Sequence, residues 1–211
     1  MIRILIVDDH QLVRLGTRRL LEAEEGFEIV GEADSGETAI EQVRALSPDV
    51  VLMDVQMPGM GGLEATRRCL RVDPDLRVIV VTLHEEQPFP SRMLDAGASG
   101  YLTKNAGIEE MTRAIRRVMS GQRYLCADVA QEMALRPYKG DDASPFEALS
   151  SREMQISLLV IAGHGSTDIA TQLSLSPKTV NSYRYRVFDK LGVSNDVGLT
   201  RMAIMHGLVS N

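Results

Sequence analysis

Short apolar runs and longer amphipathic stretches alternate through the first half of the chain. Ile4-Leu5-Ile6-Val7, Val50-Val51-Leu52-Met53 and Val78-Ile79-Val80-Val81 are compact and rich in Val and Ile. Such runs fit strands buried on both faces, as parallel sheets require. Strands are expected at 3–7, 28–33, 49–53, 77–82 and 99–102. Between them, apolar residues recur at helical spacing, and helices are expected at 11–23, 37–45, 62–72, 90–96 and 108–120.

Alternating strand and helix units of this length predict an α/β fold, a doubly wound five-stranded parallel sheet in flavodoxin-like order 2-1-3-4-5. Gly121 is placed to stop the last helix. Residues 124–136 suit one short linker helix. Residues 136–145 (RPYKGDDASP) are rich in turn formers and read as the flexible part of the linker. From Ser151 onward the pattern is all-α, with helices at 151–162, 166–173, 177–191 and 196–206. The expected organisation is therefore an α/β domain over 1–122, a partly helical linker over 123–145 and an all-α domain over 146–211.

The polar residues that close the apolar runs carry the chemistry. Asp8 and Asp9 end the first run, Asp54 the second and Thr82 the third, and Lys104 follows a fourth apolar stretch. In an open parallel sheet these positions converge on the edge where ligands bind. Singly, each would serve equally well as a strand-end or turn residue. Together, three carboxylates would repel one another unless a hard divalent cation neutralised them, so the cluster implies Mg²⁺, with Mn²⁺ as a substitute. A carboxylate, a metal and a lysine make a phosphoryl-accepting site.

These residues, in this order, resemble the receiver domain of a two-component response regulator over about Met1 to Gln122. Downstream, Ser150-Ser151-Arg152-Glu153, Ile169-Ala170, Thr179-Val180-Asn181 and Lys190-Leu191-Gly192-Val193 resemble a LuxR-type helix-turn-helix. The pair is the NarL/FixJ architecture. The run from Thr179 to Arg186, with Glu85 to Pro90, is similar to the GacA/UvrY/SirA branch. The resemblance implies that Asp54 is the phosphoacceptor, that Asp8, Asp9 and Asp54 hold the metal with the Gln56 backbone carbonyl, and that Lys104 pairs with Asp54 and then with the phosphoryl oxygens. It implies a switch pair in Thr82 and Tyr101, and a tuning role for His84 and Gln56. Asn105 stands where the family usually has proline. His10 is not the donor, because the donor histidine belongs to another protein: a sensor histidine kinase or a phosphotransfer domain.

A formal charge of −6 argues against nucleic acid when read over the whole chain, but the charge is unevenly distributed. Residues 146–211 carry six basic and five acidic groups, and Lys178, Arg184, Arg186 and Lys190 oppose only Asp189 within 176–190. Basic residues gathered on one helix are the footprint of a DNA reader. Ser176 suits an N-cap and Pro177 the first helical position. Ile169, Ala170, Leu173, Val180, Val187 and Leu191 are expected inside, leaving Lys178, Asn181, Ser182, Arg184, Tyr185 and Arg186 outside. By resemblance Asn181, Ser182 and Tyr185 touch base edges, and Asn181 suits adenine. Lys178, Arg184 and Arg186 suit phosphates, and Thr179 completes the surface. Many relatives have lysine and histidine at the positions of Asn181 and Tyr183. The last helix, with Val197, Leu199, Met202, Ala203 and Met205, is an expected dimer surface.

The function so implied is phosphorylation-controlled dimerisation and binding to a two-fold symmetric DNA site, activating small regulatory RNA genes by analogy with the branch. An alternative is a phospho-signalling adaptor whose helical domain binds protein or RNA. A phosphatase of the haloacid-dehalogenase kind needs a second Asp two residues after its nucleophile, a spacing that Asp8-Asp9 and Asp54 do not offer. The chain is therefore not expected to be an enzyme beyond accepting and slowly losing a phosphoryl group. No apolar stretch approaches the roughly 20 residues of a membrane helix, and Cys69 and Cys126 lie far apart with no CxxC, so a cytoplasmic protein with reduced thiols and no zinc site is expected.

Overall fold

The computed structural model describes residues 1–82, 89–135, 144–206 and 208. They form two compact units, one built from residues up to 135 and the other from those after 143. Residues 136–143 of the expected flexible segment 136–145, His84 and the 85–88 part of the branch motif lie outside the described residues.

The first unit contains strands β1 (Ile2–Val7), β2 (Phe27–Ala33), β3 (Val50–Met53), β4 (Arg77–Thr82), β5 (Gly100–Thr103) and β6 (Tyr124–Leu125). All pairings are parallel, in the order β2-β1-β3-β4-β5-β6. Helices α1 (Gln11–Glu22), α2 (Gly36–Leu46), α3 (Gly61–Val72), α4 (Phe89–Asp95), α5 (Ile108–Met119) and α6 (Ala127–Leu135) complete it.

Side chains alternate across the sheet, so each central strand feeds two cores. Ile4, Ile6, Val50 and Leu52 join Tyr101, Ile115 and Val118 on one face. Leu5, Val7, Val51 and Met53 join Ala39, Val43, Ala65 and Cys69 on the other. This is why the stretches Ile4–Val7 of β1 and Val50–Met53 of β3 contain no polar residue.

The expectation of five strands is corrected to six. Tyr124 donates its N–H to the Ser99 carbonyl at 3.1 Å and Cys126 donates to Tyr101 at 3.0 Å, continuing the ladder beyond β5. Tyr124 is buried and its hydroxyl lies 3.0 Å from Glu110 Oε1. Val129 on α6 is fully buried in the same core. Residues 124–135, expected as linker, thus pack into the first unit. A two-residue strand is too short for its periodicity to register in sequence.

The second unit opens with a 3-10 turn, Pro145–Ala148, whose Phe146 is fully buried. Helices α7 (Ser151–Ile161), α8 (Ser166–Gln172), α9 (Pro177–Leu191) and α10 (Asp196–Met205) follow. The starts of α7, α9 and α10 are marked chemically. Ser150 and Glu153 form a reciprocal capping box on α7, Ser176 accepts from Thr179 on α9, and Asn195 accepts from Gly198 on α10. Gly192 closes α9 at φ 65°, a left-handed conformation that favours glycine. Ile156, Ile169, Val180, Val187, Leu199 and Ala203 form the centre of this unit. Among the described residues no helix is long and apolar enough to cross a membrane.

Candidate functional site

Strand register assembles the acidic site. Val7 pairs with Met53, so Asp8 and Asp54 leave adjacent strands at one level, and the Asp54 N–H donates to the Val7 carbonyl at 2.9 Å. On the other side Thr82 pairs with Thr103, and the Lys104 N–H donates to the Thr82 carbonyl at 2.8 Å. Lys104 therefore enters the same edge. Its Nζ donates to Asp54 Oδ2 at 2.8 Å and lies 2.6 Å from Asp8 Oδ2. The exposed Asn105 that follows does not prevent this reach.

Asp8 and Asp54 are only 4% and 3% exposed. Asp8 Oδ1 accepts the His10 N–H at 2.8 Å, and Asp54 Oδ1 accepts the Gln56 N–H at 3.3 Å. Burial pushes the Asp54 carboxyl above the ordinary carboxylate range, and the neighbouring Asp8 adds to the rise. The Lys104 ammonium opposes both without cancelling them. For Lys104 burial acts against the charged form, but hydrogen bonds to the two carboxylates outweigh it and hold the amine above its usual value.

One ammonium cannot balance three carboxylates. Oxygen atoms of Asp8, Asp9 and Asp54, with a nitrogen of His10, lie within 4.8 Å of one another. Asp9 Oδ1 is buried and has no hydrogen-bond partner among the described residues, although His10 Nδ1 approaches to 2.9 Å. An orphaned buried carboxylate oxygen beside two more carboxylates fits a hard, oxygen-seeking cation. Thr82 and Tyr101 are both buried, at 1% and 0% exposure, on adjacent strands.

The helical unit holds a second candidate site on α9. Lys178, Ser182 and Arg186 follow one another at four-residue spacing, and with Thr179 and Tyr183 they line a depression of about 280 Å³. The Arg186 guanidinium lies over the Tyr183 ring at 5.5 Å. Asn181 and Tyr185 stand on a neighbouring stripe, and Tyr185 is 68% exposed. The helix before it, α8, is short and follows Gly165; the turn to α9 runs through Ser174, at φ 52°. This is the two-helix arrangement of a helix-turn-helix, with α9 in the recognition position.

Residues 4–116 match the family described as the response regulator receiver domain, and residues 147–203 match the bacterial regulatory proteins of the luxR family. The chain is 54% identical over 210 residues to the response regulator GacA of Pseudomonas aeruginosa, covering 99% of this chain and 98% of the relative. It is 53% identical over 209 residues to the response regulator UvrY of Escherichia coli K12, covering 99% and 96%.

This chain belongs to the response regulator family. Among solved structures, RcsB from Salmonella enterica serovar Typhimurium, bound to promoter rprA with the phosphomimetic BeF3⁻, is similar at a TM-score of 0.69 and 27% identity, covering 96% of this chain and 98% of that one. A second RcsB structure aligns over 100% of this regulator and 98% of that chain, at a TM-score of 0.74 and 27% identity.

Two cations of the regulator's α9 make ion pairs that the sequence does not reveal. Arg184 was expected among outward phosphate contacts. Its Nη1 instead donates to Ser166 Oγ and its Nη2 to Asp196 Oδ2, both at 2.5 Å, tying the starts of α8 and α10 to α9. Lys190 donates to Glu153 Oε2 at 2.7 Å and to the Ala148 carbonyl at 3.2 Å. A charge count cannot separate cations held inside a fold from cations offered to a ligand. Lys178 and Arg186 are exposed on α9 beside the depression, whereas Lys190, also exposed, has its ammonium on Glu153. Sequence reasoning missed Ser166, Glu153 and Asp196, whose partners are at least 12 residues away along the chain.

The expected dimer surface on α10 divides in two. Leu199 and Ala203 are core residues, at 1% and 0% exposure, whereas Val197 and Met205 are 68% and 80% exposed. Apolar residues on both sides of this short helix concealed which stripe faces inward.

Proposed function

We propose that the regulator accepts a phosphoryl group on Asp54 and that this modification controls its binding to DNA. The observation that carries the reading is the convergence of Asp54 with Asp8 and Lys104 at one sheet edge. An Asp54 carboxylate oxygen attacks phosphorus of a phosphohistidine on a sensor histidine kinase or a phosphotransfer domain. The P–N bond breaks, an O–P bond forms, and the donor imidazole leaves with the electron pair. Asp8, Asp9 and Asp54, with the Gln56 carbonyl, would hold Mg²⁺ or Mn²⁺, which when bound would offset charge on the transferring group. Lys104 passes from Asp54 to the phosphoryl oxygens, and Thr82 and Tyr101 respond as the switch pair.

No substrate other than the regulator itself is transformed, so it is not an enzyme in the usual sense. It works in the cytoplasm. Phosphorylation favours a homodimer in which two copies of α9 enter the major grooves of a two-fold symmetric site. Asn181, Ser182 and Tyr185 read base edges, and Lys178 and Arg186 contact phosphates. Near-full-length similarity to GacA and UvrY supports a common role, with genes for small regulatory RNAs as targets.

The test is selection of duplexes from a random pool, with Mg²⁺ and a small-molecule phosphoryl donor, by wild type and by Asp54→Ala. A symmetric motif enriched mainly by phosphorylated wild type is expected. Equal enrichment by both proteins would remove phosphorylation as the control.

A further inference from the structure

We propose that Ser166 is a positioning residue that decides which base edge Asn181 reads. The inference rests on α9 being the DNA reader. Ser166 is the first residue of α8, yet its hydroxyl belongs functionally to α9. It accepts a hydrogen bond from Arg184 Nη1 at 2.5 Å and donates its own to Asn181 Oδ1 at 2.6 Å.

The direction of these bonds is forced by the donor inventory. A guanidinium only donates, so toward Arg184 the Ser166 oxygen must accept. The hydroxyl's single proton is then available to Asn181 Oδ1. Arg184 is itself anchored, because its other terminal nitrogen is paired with Asp196 Oδ2 at 2.5 Å. Asp196, Arg184, Ser166 and Asn181 thus form a chain of charge-assisted and neutral hydrogen bonds running from the start of α10 to the exposed face of α9.

The consequence lies at the end of the chain. A free asparagine amide reads adenine by donating to N7 and accepting from the N6 amino group. Here one lone pair of the amide oxygen is taken by the Ser166 hydroxyl, so the NH₂, which only donates, is the less encumbered group of this exposed side chain. A tip biased toward donation matches an acceptor edge: guanine through O6 and N7, or thymine through O4. Adenine, which presents an amino donor beside N7, is the mismatched base. The sequence expectation of an adenine contact is reversed by a hydroxyl that lies 15 residues earlier.

Duplex selection with the phosphorylated full-length chain tests this, using wild type, Asn181→Ala, Ser166→Ala and Ser166→Thr. Asn181→Ala marks the position by losing preference there. Wild type and Ser166→Thr, which keeps the hydroxyl, are expected to enrich guanine or thymine at that position in each half-site. Ser166→Ala is expected to shift the same position toward adenine by roughly tenfold. A loss of helix packing would instead weaken all positions alike, and circular dichroism checks that the variant is folded. Adenine enrichment by wild type, or an unchanged base in Ser166→Ala, would overturn the inference while leaving α9 as the reader. Absence of any enriched sequence in all four proteins would overturn the DNA reading and this inference with it.

Discussion

Lys104 holds Asp54 by a 2.8 Å hydrogen bond across the sheet edge, and the same ammonium stands 2.6 Å from Asp8. Both carboxylates are nearly inaccessible to water, so the lysine is the main compensation for two buried charges. Lys104→Ala removes it. Breaking a buried pair by deleting one partner costs about 3–5 kcal/mol. Without Mg²⁺ the variant is expected to melt well below wild type, and added Mg²⁺ should recover part of the loss. A melting temperature equal to wild type in the chelated state would contradict this electrostatic account.

Asp9 Oδ1 is buried without a hydrogen-bond partner among the described residues. A cation that binds only the folded state stabilises it by about 2.7 kcal/mol at a hundredfold excess over Kd. Mg²⁺ is therefore expected to raise the melting temperature of wild type. Asp9→Asn should largely lose that response while folding normally in chelator. An undiminished Mg²⁺ response in Asp9→Asn would place the ion elsewhere.

Gly62 sits where α3 meets the loop that follows Asp54, and its N–H donates to the Val55 carbonyl at 2.9 Å. A Cβ added there would overlap the Asp54 carbonyl oxygen, which is backbone and cannot turn aside. Gly62→Ala should cost on the order of 1–3 kcal/mol, as overpacking does, and should slow phosphorylation by displacing Asp54. Wild-type labelling with acetyl phosphate, or an unchanged melting temperature, would show that the loop absorbs the methyl group.

Lys178 and Arg186 face the depression on α9, whereas Lys190 is turned to Glu153. Lys178→Ala and Arg186→Ala are each expected to reduce the magnitude of the slope of log K against log salt by about one. Lys190→Ala should leave the slope unchanged and lower the stability of the helical unit. Titrations at several salt concentrations distinguish these outcomes, and a reduced slope in Lys190→Ala would return that residue to the DNA surface.

Glu153 links α7 to α9 and predicts an acid response. Burial pushes its carboxyl up, but the Lys190 ammonium and the hydrogen bonds from Ser150 outweigh burial and hold it below the ordinary value. A depressed folded pKa means that the stabilisation is fully present above the unfolded value, about 4.3, and is lost as pH falls through the folded value. Wild type should therefore lose stability as the pH drops below about 4. Glu153→Gln keeps a hydrogen-bonding cap but has no charge to lose, so its melting temperature should fall less steeply over that range. Parallel curves for the two proteins would refute the linkage.

The alternation of apolar runs and acidic ends in the first half carried enough information to place Asp8, Asp9, Asp54, Thr82 and Lys104 at one edge. In a doubly wound sheet every strand end points the same way, so position along a strand becomes position in space. The helix starts at Ser150, Ser176 and Asn195 were equally local, because a cap bonds to a residue three positions on. Tertiary structure decided what depends on partners distant in sequence. It joined Tyr124 and Leu125 to the sheet through β5, a pairing too short to leave a periodic trace. It divided the basic residues of α9 by bringing Glu153 and Asp196 against Lys190 and Arg184. It also turned the Asn181 oxygen onto Ser166. Sequence specifies which groups a helix displays, but the neighbouring helices determine which hydrogen bonds those groups have left to give.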